Sequence, residues 1–249
     1  MKKQWMVIFI VSLCLLTTSL IALGSSFWEK NVNEANLEKY KNSTNSTGIE
    51  DLPKNPIDFE KLKKQNEDIY AWIKIDNTNV DYPILNPGDK GNSYYLHRGI
   101  DGQYDEGGVI YTEVQNSLDW SDPVTLVYGH NMRIIKTMFH EIHKYEDNEF
   151  FEKNRYFNIY AEGRILTYEV YSAFDYDDRH IINSFNFNDK KVLKDFIDYT
   201  LNPISMNKNV REGVEVTEDD KIVILSTCTT RKDMRYLVIG VLRKDEKTQ

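Results

Sequence analysis

The stretch Lys221-Ile-Val-Ile-Leu-Ser-Thr-Cys228-Thr-Thr-Arg-Lys-Asp-Met-Arg235-Tyr-Leu-Val-Ile-Gly-Val-Leu242 organises the whole chain. Two apolar, β-branched runs, residues 222–225 and 236–242, flank a short polar segment, the pattern of two strands joined by a loop. Cys228 stands where the first strand ends and Arg235 where the second begins. If the strands pair antiparallel, thiol and guanidinium lie at the same end of the sheet. A thiol is a capable nucleophile only as thiolate, and nearby positive charge favours that form. The same charge steadies the oxyanion that forms when a carbonyl is attacked. The stretch therefore points to acyl transfer by a cysteine.

Cysteine usage bears on this directly. The chain has 249 residues and two cysteines, Cys14 and Cys228. Cys14 lies in an apolar N-terminal segment, so the rest of the chain holds Cys228 alone and cannot form an internal disulfide. An unpaired cysteine outside the cytoplasm is a candidate reactive thiol; the alternative is a small buried hydrophobe. Formal net charge is −8, and beyond residue 24 there are 29 basic against 39 acidic residues. That balance excludes the basic surface a nucleic-acid partner requires.

After Lys2 and Lys3, residues 5–23 run without a charge. As a helix this run is roughly 28 Å long, close to the hydrocarbon thickness of a bilayer. The two lysines hold the N-terminus in the cytoplasm and place the remainder outside. Residues 1–24 thus read as a single-pass, uncleaved signal-anchor in the cell membrane. Ala22-Leu23-Gly24 resembles a cleavage site, but the run is longer than the apolar core of a usual signal peptide. Residues 25–55 read as an extracellular stalk, with a loose helix over 28–40 and a flexible Asn42-Ser-Thr-Asn45-Ser-Thr-Gly48 linker. Its two Asn-Ser-Thr triplets match the glycosylation acceptor pattern and are read as linker composition.

Residues 56–249 read as the catalytic domain. The patterning predicts a helix over 58–68 capped by Asp58. Strands follow at 69–75 and 80–85, the second carrying Pro83 and therefore at an edge or bulge. Residues 93–96 read as extended, and 107–112 and 124–128 as strands. A short helix over 135–144 has Met138, Phe139 and Ile142 inward, and 149–153 is a further helical turn. Residues 156–161 and 164–176 form a hairpin around Glu162-Gly163. A helix over 189–201 places Val192, Leu193, Phe196, Ile197 and Leu201 on one face. The tally is seven to nine short strands, an antiparallel meander closing into a barrel or sandwich.

Five histidines compete as partner to Cys228. His130 leads, because it follows a predicted strand and a glycine and so faces a cleft. His140 and His143 stand three apart, which suits a metal pair, but no third ligand accompanies them and a solvated helix face is the simpler reading. His97 and His180 read as loop residues. No metal site is predicted.

Several segments, taken in order, resemble one family. Asp68-Ile-Tyr-Ala-Trp-Ile-Lys-Ile and Asp81-Tyr-Pro-Ile resemble the opening strands of sortases, the cysteine transpeptidases of Gram-positive bacteria. Asn92-Ser-Tyr-Tyr-Leu96 and Gly108-Val-Ile-Tyr resemble class B members in particular. Tyr128-Gly-His130-Asn resembles the family's histidine motif, and Leu225-Ser-Thr-Cys228 its T-L-x-T-C signature, with Ile224 where the first threonine usually stands. Arg235 before Tyr-Leu-Val-Ile resembles the arginine that opens the last strand; Arg231 is its rival. The match runs over about residues 56–242.

The resemblance implies a mainly β fold, a closed sortase-type barrel with N-terminal helices and a long helix before the cysteine strand. It implies Cys228, His130 and Arg235 as catalytic residues, and Asn92, Leu96, Tyr128 and Ser226 as substrate-groove residues, with no cofactor. It implies cleavage after Thr in a C-terminal sorting signal of NPxT or PxTG type, and transfer of the surface protein to a peptidoglycan-precursor (lipid II) amine. A pilus-type sortase, a hydrolytic cysteine peptidase and an inactive extracellular binding module remain as alternatives.

Overall fold

Short apolar runs bounded by turn residues become strands, and one late pairing closes them into a barrel. The computed structural model describes residues 52–231 and 233–249. The strands are β1 (Ile69–Lys74), β2 (Asp81–Leu85), β3 (Ile110–Thr112), β4 (Val124–Tyr128), β5 (Asn131–Met132), β6 (Thr137–Met138), β7 (Tyr156–Ala161), β8 (Arg164–Asp177), β9 (Lys208–Val210), β10 (Ile222–Cys228) and β11 (Met234–Lys247). The main sheet runs β11-β10-β4-β3-β2-β1-β7-β8-β9, and β11 also pairs with β8. That second pairing closes eight strands and leaves β9 on the flank of β8, so the barrel itself has no open edge. β5 and β6 form a separate two-stranded ribbon.

The mainly β, closed-barrel expectation therefore holds, but the meander is not purely antiparallel. β10 pairs parallel to β4, and β2 parallel to β3. Strand periodicity reports which face a residue takes, not which strand lies beside it, and parallel partners need long crossovers. Pro83 is opposite Trp72 of β1, whereas β3 meets β2 only at Ile84 and Leu85. The proline thus sits where β2 has a ladder on one side only, which tolerates its missing N–H.

The described helices are α1 (Phe59–Lys63), α2 (Asn148–Lys153), α3 (Ile181–Ser184) and α4 (Lys190–Leu201). Asp58 caps α1 by accepting from the Lys61 N–H at 3.0 Å. The helix is shorter than 58–68, because Ile69 is taken into β1. Asp189 caps α4, accepting from Lys191 N at 2.8 Å. Leu193, Phe196, Ile197 and Thr200 form its buried face, while Val192 and Leu201 are half-buried. Residues 93–96 are not extended: Tyr94–His97 form a tight 3-10 turn, anchored by Tyr95, which is buried and accepts from Asn66 at 2.9 Å. Nor is 135–144 one helix. Thr137–Met138 pairs with Asn131–Met132, and a 3-10 helix follows over Phe139–Glu146. Met138, Phe139 and Ile142 are buried nonetheless.

The predicted anchor, residues 1–24, and the loose helix over 28–40 lie outside the described residues. Among the described residues no helix is long and apolar enough to cross a membrane. The end of the predicted stalk is docked rather than free: Asn55 donates to the Ala161 carbonyl at 2.7 Å, and Gln249 donates to the Leu52 carbonyl at 2.8 Å.

One packing detail creates the cleft. Ile222 and Ile224 of β10 belong to the same buried cluster as Leu193, Phe196 and Ile197 of α4. Burial of each such side chain contributes about 1.5–3 kcal/mol. Side chains alternate along a strand, so Ser226 and Cys228 share the face of Ile222 and Ile224. The cluster covers that face as far as Ile224. Beyond that cover Ser226 lines the groove while still buried, and Cys228 is exposed.

Candidate active site

The final two strands do what their patterning demands. β10 and β11 pair antiparallel with Cys228 directly opposite Arg235. Directly opposed residues have Cβ atoms about 4.5–5.5 Å apart on one face. Cys228 is exposed and Arg235 is half-buried. Arg231 instead sits exposed in the loop, donating to Asp233 at 3.1 Å. The structure thus brings Arg235, not Arg231, to the thiol.

Three hydrogen bonds zip the histidine segment to the cysteine strand. Gly129 N donates to the Ser226 carbonyl at 3.1 Å. Thr227 Oγ1 donates to the Gly129 carbonyl at 2.7 Å. Asn131 Nδ2 donates to the Cys228 carbonyl at 2.8 Å. His130, held between these bonds, points its Nε2 at the Leu96 carbonyl at 2.7 Å. A carbonyl only accepts, so Nε2 carries the proton and Nδ1 is left for proton exchange. Burial holds the His130 pKa below its usual 6.5, and the Leu96 bond opposes that only in part. His97 stacks on its ring at 5.4 Å between centroids.

Gly108 makes the Leu96 carbonyl available. Its φ is +55°, and a Cβ there would lie 2.5 Å from the Tyr95 oxygen and 2.6 Å from the Leu96 oxygen. Only glycine permits both the dihedral and the approach. The turn that carries Leu96 is thereby seated against the start of β3.

One groove collects the residues named from sequence. Cys228, His130, Arg235, Asn92, Leu96, Tyr128 and Ser226 all line it. Asn92 is itself fixed, accepting from Val114 N at 2.7 Å. Register explains the floor: Ser226 pairs with both Tyr128 and Leu237, Tyr128 with Tyr111, and Arg235 with Tyr176. All of these are groove residues. Burial first, then the charges of Glu113 and Cys228, push the Tyr111 pKa up to about 12.

A family model for the sortase domain matches residues 73–243, more than half of the chain. The chain belongs to the sortase family. Sortase B of Listeria monocytogenes is 32% identical over 179 residues, covering 71% of this chain and 69% of that protein. Among solved structures, sortase B from Bacillus anthracis superposes with a TM-score of 0.73 at 25% identity, covering 88% of this chain and 100% of that one. The Staphylococcus aureus sortase B–substrate complex gives 0.66 at 28% identity, covering 75% and 84%. This sortase is therefore of class B and a cysteine transpeptidase.

Two features of this sortase were not visible in its sequence. His140 and His143 do not form a solvated helix face. Asn131 Oδ1 accepts from His140 Nδ1 at 2.7 Å, and its Nδ2 donates to His143 Nε2 at 3.0 Å as well as to the Cys228 carbonyl. His143 Nδ1 then donates to Glu146 at 2.5 Å. The ring of His143 stacks on Tyr236 at 4.8 Å. Both N–H donors and the oxygen of the Asn131 amide are engaged, which fixes its orientation, and His143 Nε2 also lies 3.2 Å from the Cys228 carbonyl. The network props the backbone of Cys228 from behind. The other feature is His180, which is not a free loop residue. It caps α3, accepting from Asn183 N at 3.4 Å, and its Nε2 lies 3.0 Å from Glu113 Oε1. Among the described residues no group of three or more His, Cys, Asp or Glu side chains is placed to hold a metal ion.

Proposed function

We propose that this sortase cleaves a C-terminal sorting signal after threonine and joins the freed carboxyl to an amine of a peptidoglycan precursor. The observation that carries the reading is the placing of Cys228 directly across from Arg235, with the His130 segment hydrogen-bonded to the cysteine strand in the same groove. The exposure of Cys228 argues against an inactive module with a buried cysteine.

Cys228 Sγ attacks the threonine carbonyl carbon, and its proton passes to His130. Nδ1 is the free ring nitrogen for this, because Nε2 is committed to Leu96. Arg235 carries charge to the same end of the sheet and stabilises the oxyanion. Collapse breaks the C–N bond, and His130 returns the proton to the leaving amine. The thioacyl-enzyme is then attacked by the precursor amine, which gives its proton to His130 as the thiolate is released. Asn92, Leu96, Tyr128 and Ser226 hold the signal along the groove. Residues 1–24 anchor the chain in the cell membrane, with the catalytic domain outside.

The test uses the full chain in detergent with peptides bearing NPxT- and PxTG-like signals, read by mass spectrometry. A thioacyl adduct on Cys228, lost in Cys228→Ala, sustains the proposal. Its formation slows in His130→Ala and Arg235→Ala. Absence of an adduct with every peptide, while Cys228 reacts promptly with a thiol reagent, refutes it.

A further inference from the structure

The turn that hydrogen-bonds His130 also lays a second imidazole on it. The Leu96 carbonyl of the Tyr94–His97 turn accepts from His130 Nε2 at 2.7 Å. The next residue, His97, stacks on the His130 ring with centroids 5.4 Å and planes 27° apart. His97 is exposed and His130 half-buried. His97 also stacks on Tyr104 at 6.4 Å, and aromatic rings attract at such separations. The chain returns Tyr104 to that place by an antiparallel bridge with Arg98, and Asp105 N then donates to the His97 carbonyl at 3.2 Å. His97 is therefore a held ring and not a free loop side chain.

A single hydrogen bond holds one edge of an imidazole but lets the ring rock about Cβ–Cγ, a broad torsion. A flat ring packed on its face removes that freedom. The freedom matters here, because Nδ1 must meet first the thiol and then the leaving amine, and a misplacement of about 1 Å costs about 100-fold in rate. The stack has an electrostatic side as well, since two imidazolium ions in contact repel. Burial holds the His130 pKa down and His97 acts in the same direction, while the Leu96 bond and the carboxylates of Asp105 and Glu106 oppose them. Cys228 and Arg235 share the groove with His130. Beside His97, the Arg98 guanidinium is turned onto the Tyr94 ring at 4.7 Å.

We propose that His97 is a positioning residue for His130, fixing the plane of the catalytic ring by stacking and, when protonated, disfavouring a second positive charge in the stack. The proposal rests on the reading of His130 as proton carrier and deepens it. One short turn then sets both coordinates of that ring, its edge through the Leu96 carbonyl and its face through His97. The two contributions are separable by substitution, because a phenyl ring stacks without titrating and a methyl group does neither.

The test compares wild type, His97→Ala and His97→Phe as full chains in detergent. It reads kcat and KM with a peptide that acylates Cys228, and the titration of His130 by NMR of isotope-labelled histidine, the His130 signal being the one lost in His130→Gln. In His97→Ala, kcat falls about 10-fold with KM within about twofold. His97→Phe restores kcat to within about threefold of wild type at a pH where His130 is neutral. In His97→Phe the His130 titration moves to higher pH, because the ring cover is kept and the like charge is gone. That midpoint does not depend on how much of a variant folds. A wild-type kcat in His97→Ala, a His97→Phe no faster than His97→Ala, or a His130 titration in His97→Phe that stays in place or moves down overturns this proposal alone. An undiminished kcat in His130→Ala overturns the reading of His130 as proton carrier with it.

Discussion

Gly129→Ala tests how tightly the histidine is tied to the barrel. A Cβ at this position would lie 2.4 Å from Ile110 Cδ1 and 2.6 and 2.8 Å from Phe139 Cγ and Cδ2. Carbon atoms prefer about 3.5–4.0 Å, so something must move by about 1 Å. Ile110 and Phe139 are 1% and 0% exposed and have no free side to retreat to. Overpacking of this kind costs about 1–3 kcal/mol, which at about 2–4 °C per kcal/mol for a domain of this size lowers Tm by up to roughly 10 °C. The chemistry suffers separately. Phe139 N donates to the His130 carbonyl at 2.9 Å, so a displaced Phe139 drags the histidine backbone. A misplacement of about 1 Å is enough for a rate loss of about 100-fold. Thermal unfolding and peptide kcat/KM are measured on the full chain. Gly163→Asn serves as control, since Gly163 has a φ of +72° with nothing within 4 Å of a built Cβ and asparagine tolerates that region. A Tm within about 2 °C of wild type and kcat/KM within about threefold, against losses of roughly 10 °C and 100-fold, would refute the reasoning.

Two further outcomes follow from the same site. Asn131→Ala removes the donor on the Cys228 carbonyl and leaves His140 and His143 without their shared partner; kcat should fall about 10-fold or more with KM little changed, and an unaltered kcat would remove Asn131 from the positioning machinery. Burial lowers the His130 pKa in the folded chain below 6.5, so between the two values the unfolded chain binds more protons and stability rises with pH. Acidification through that window should therefore lower Tm more in the wild type than in His130→Gln, and parallel Tm–pH curves for the two would contradict it.

The last two strands show how far local pattern reaches. Their β-branched runs forced strands, the intervening polar segment forced a loop, and antiparallel pairing put Cys228 across from Arg235. The hairpin at Gly163 and the cap at Asp58 were equally local, since a glycine at positive φ and an aspartate before an amphipathic run act over a few residues. His130 was legible for the same reason, as a residue following a strand and a glycine.

What remained hidden depended on partners distant in the chain. Nothing near Val124 announces its parallel neighbour Ile222, because periodicity records a face and not an adjacent strand. Ser93–Leu96 reads as extended until Asn66 and Gly108 fold it into the turn that supplies the Leu96 carbonyl. His143 becomes a prop for Cys228, and Glu113 a buried acceptor beside His180, only when segments 85 and 67 residues apart meet. Sequence by itself determined the last two strands and the placing of Cys228 across from Arg235, because those rest on short-range patterning. The tertiary structure alone decided the hydrogen-bond partners, the burial and the parallel strand neighbours, because each of these is set by which distant atoms surround a group.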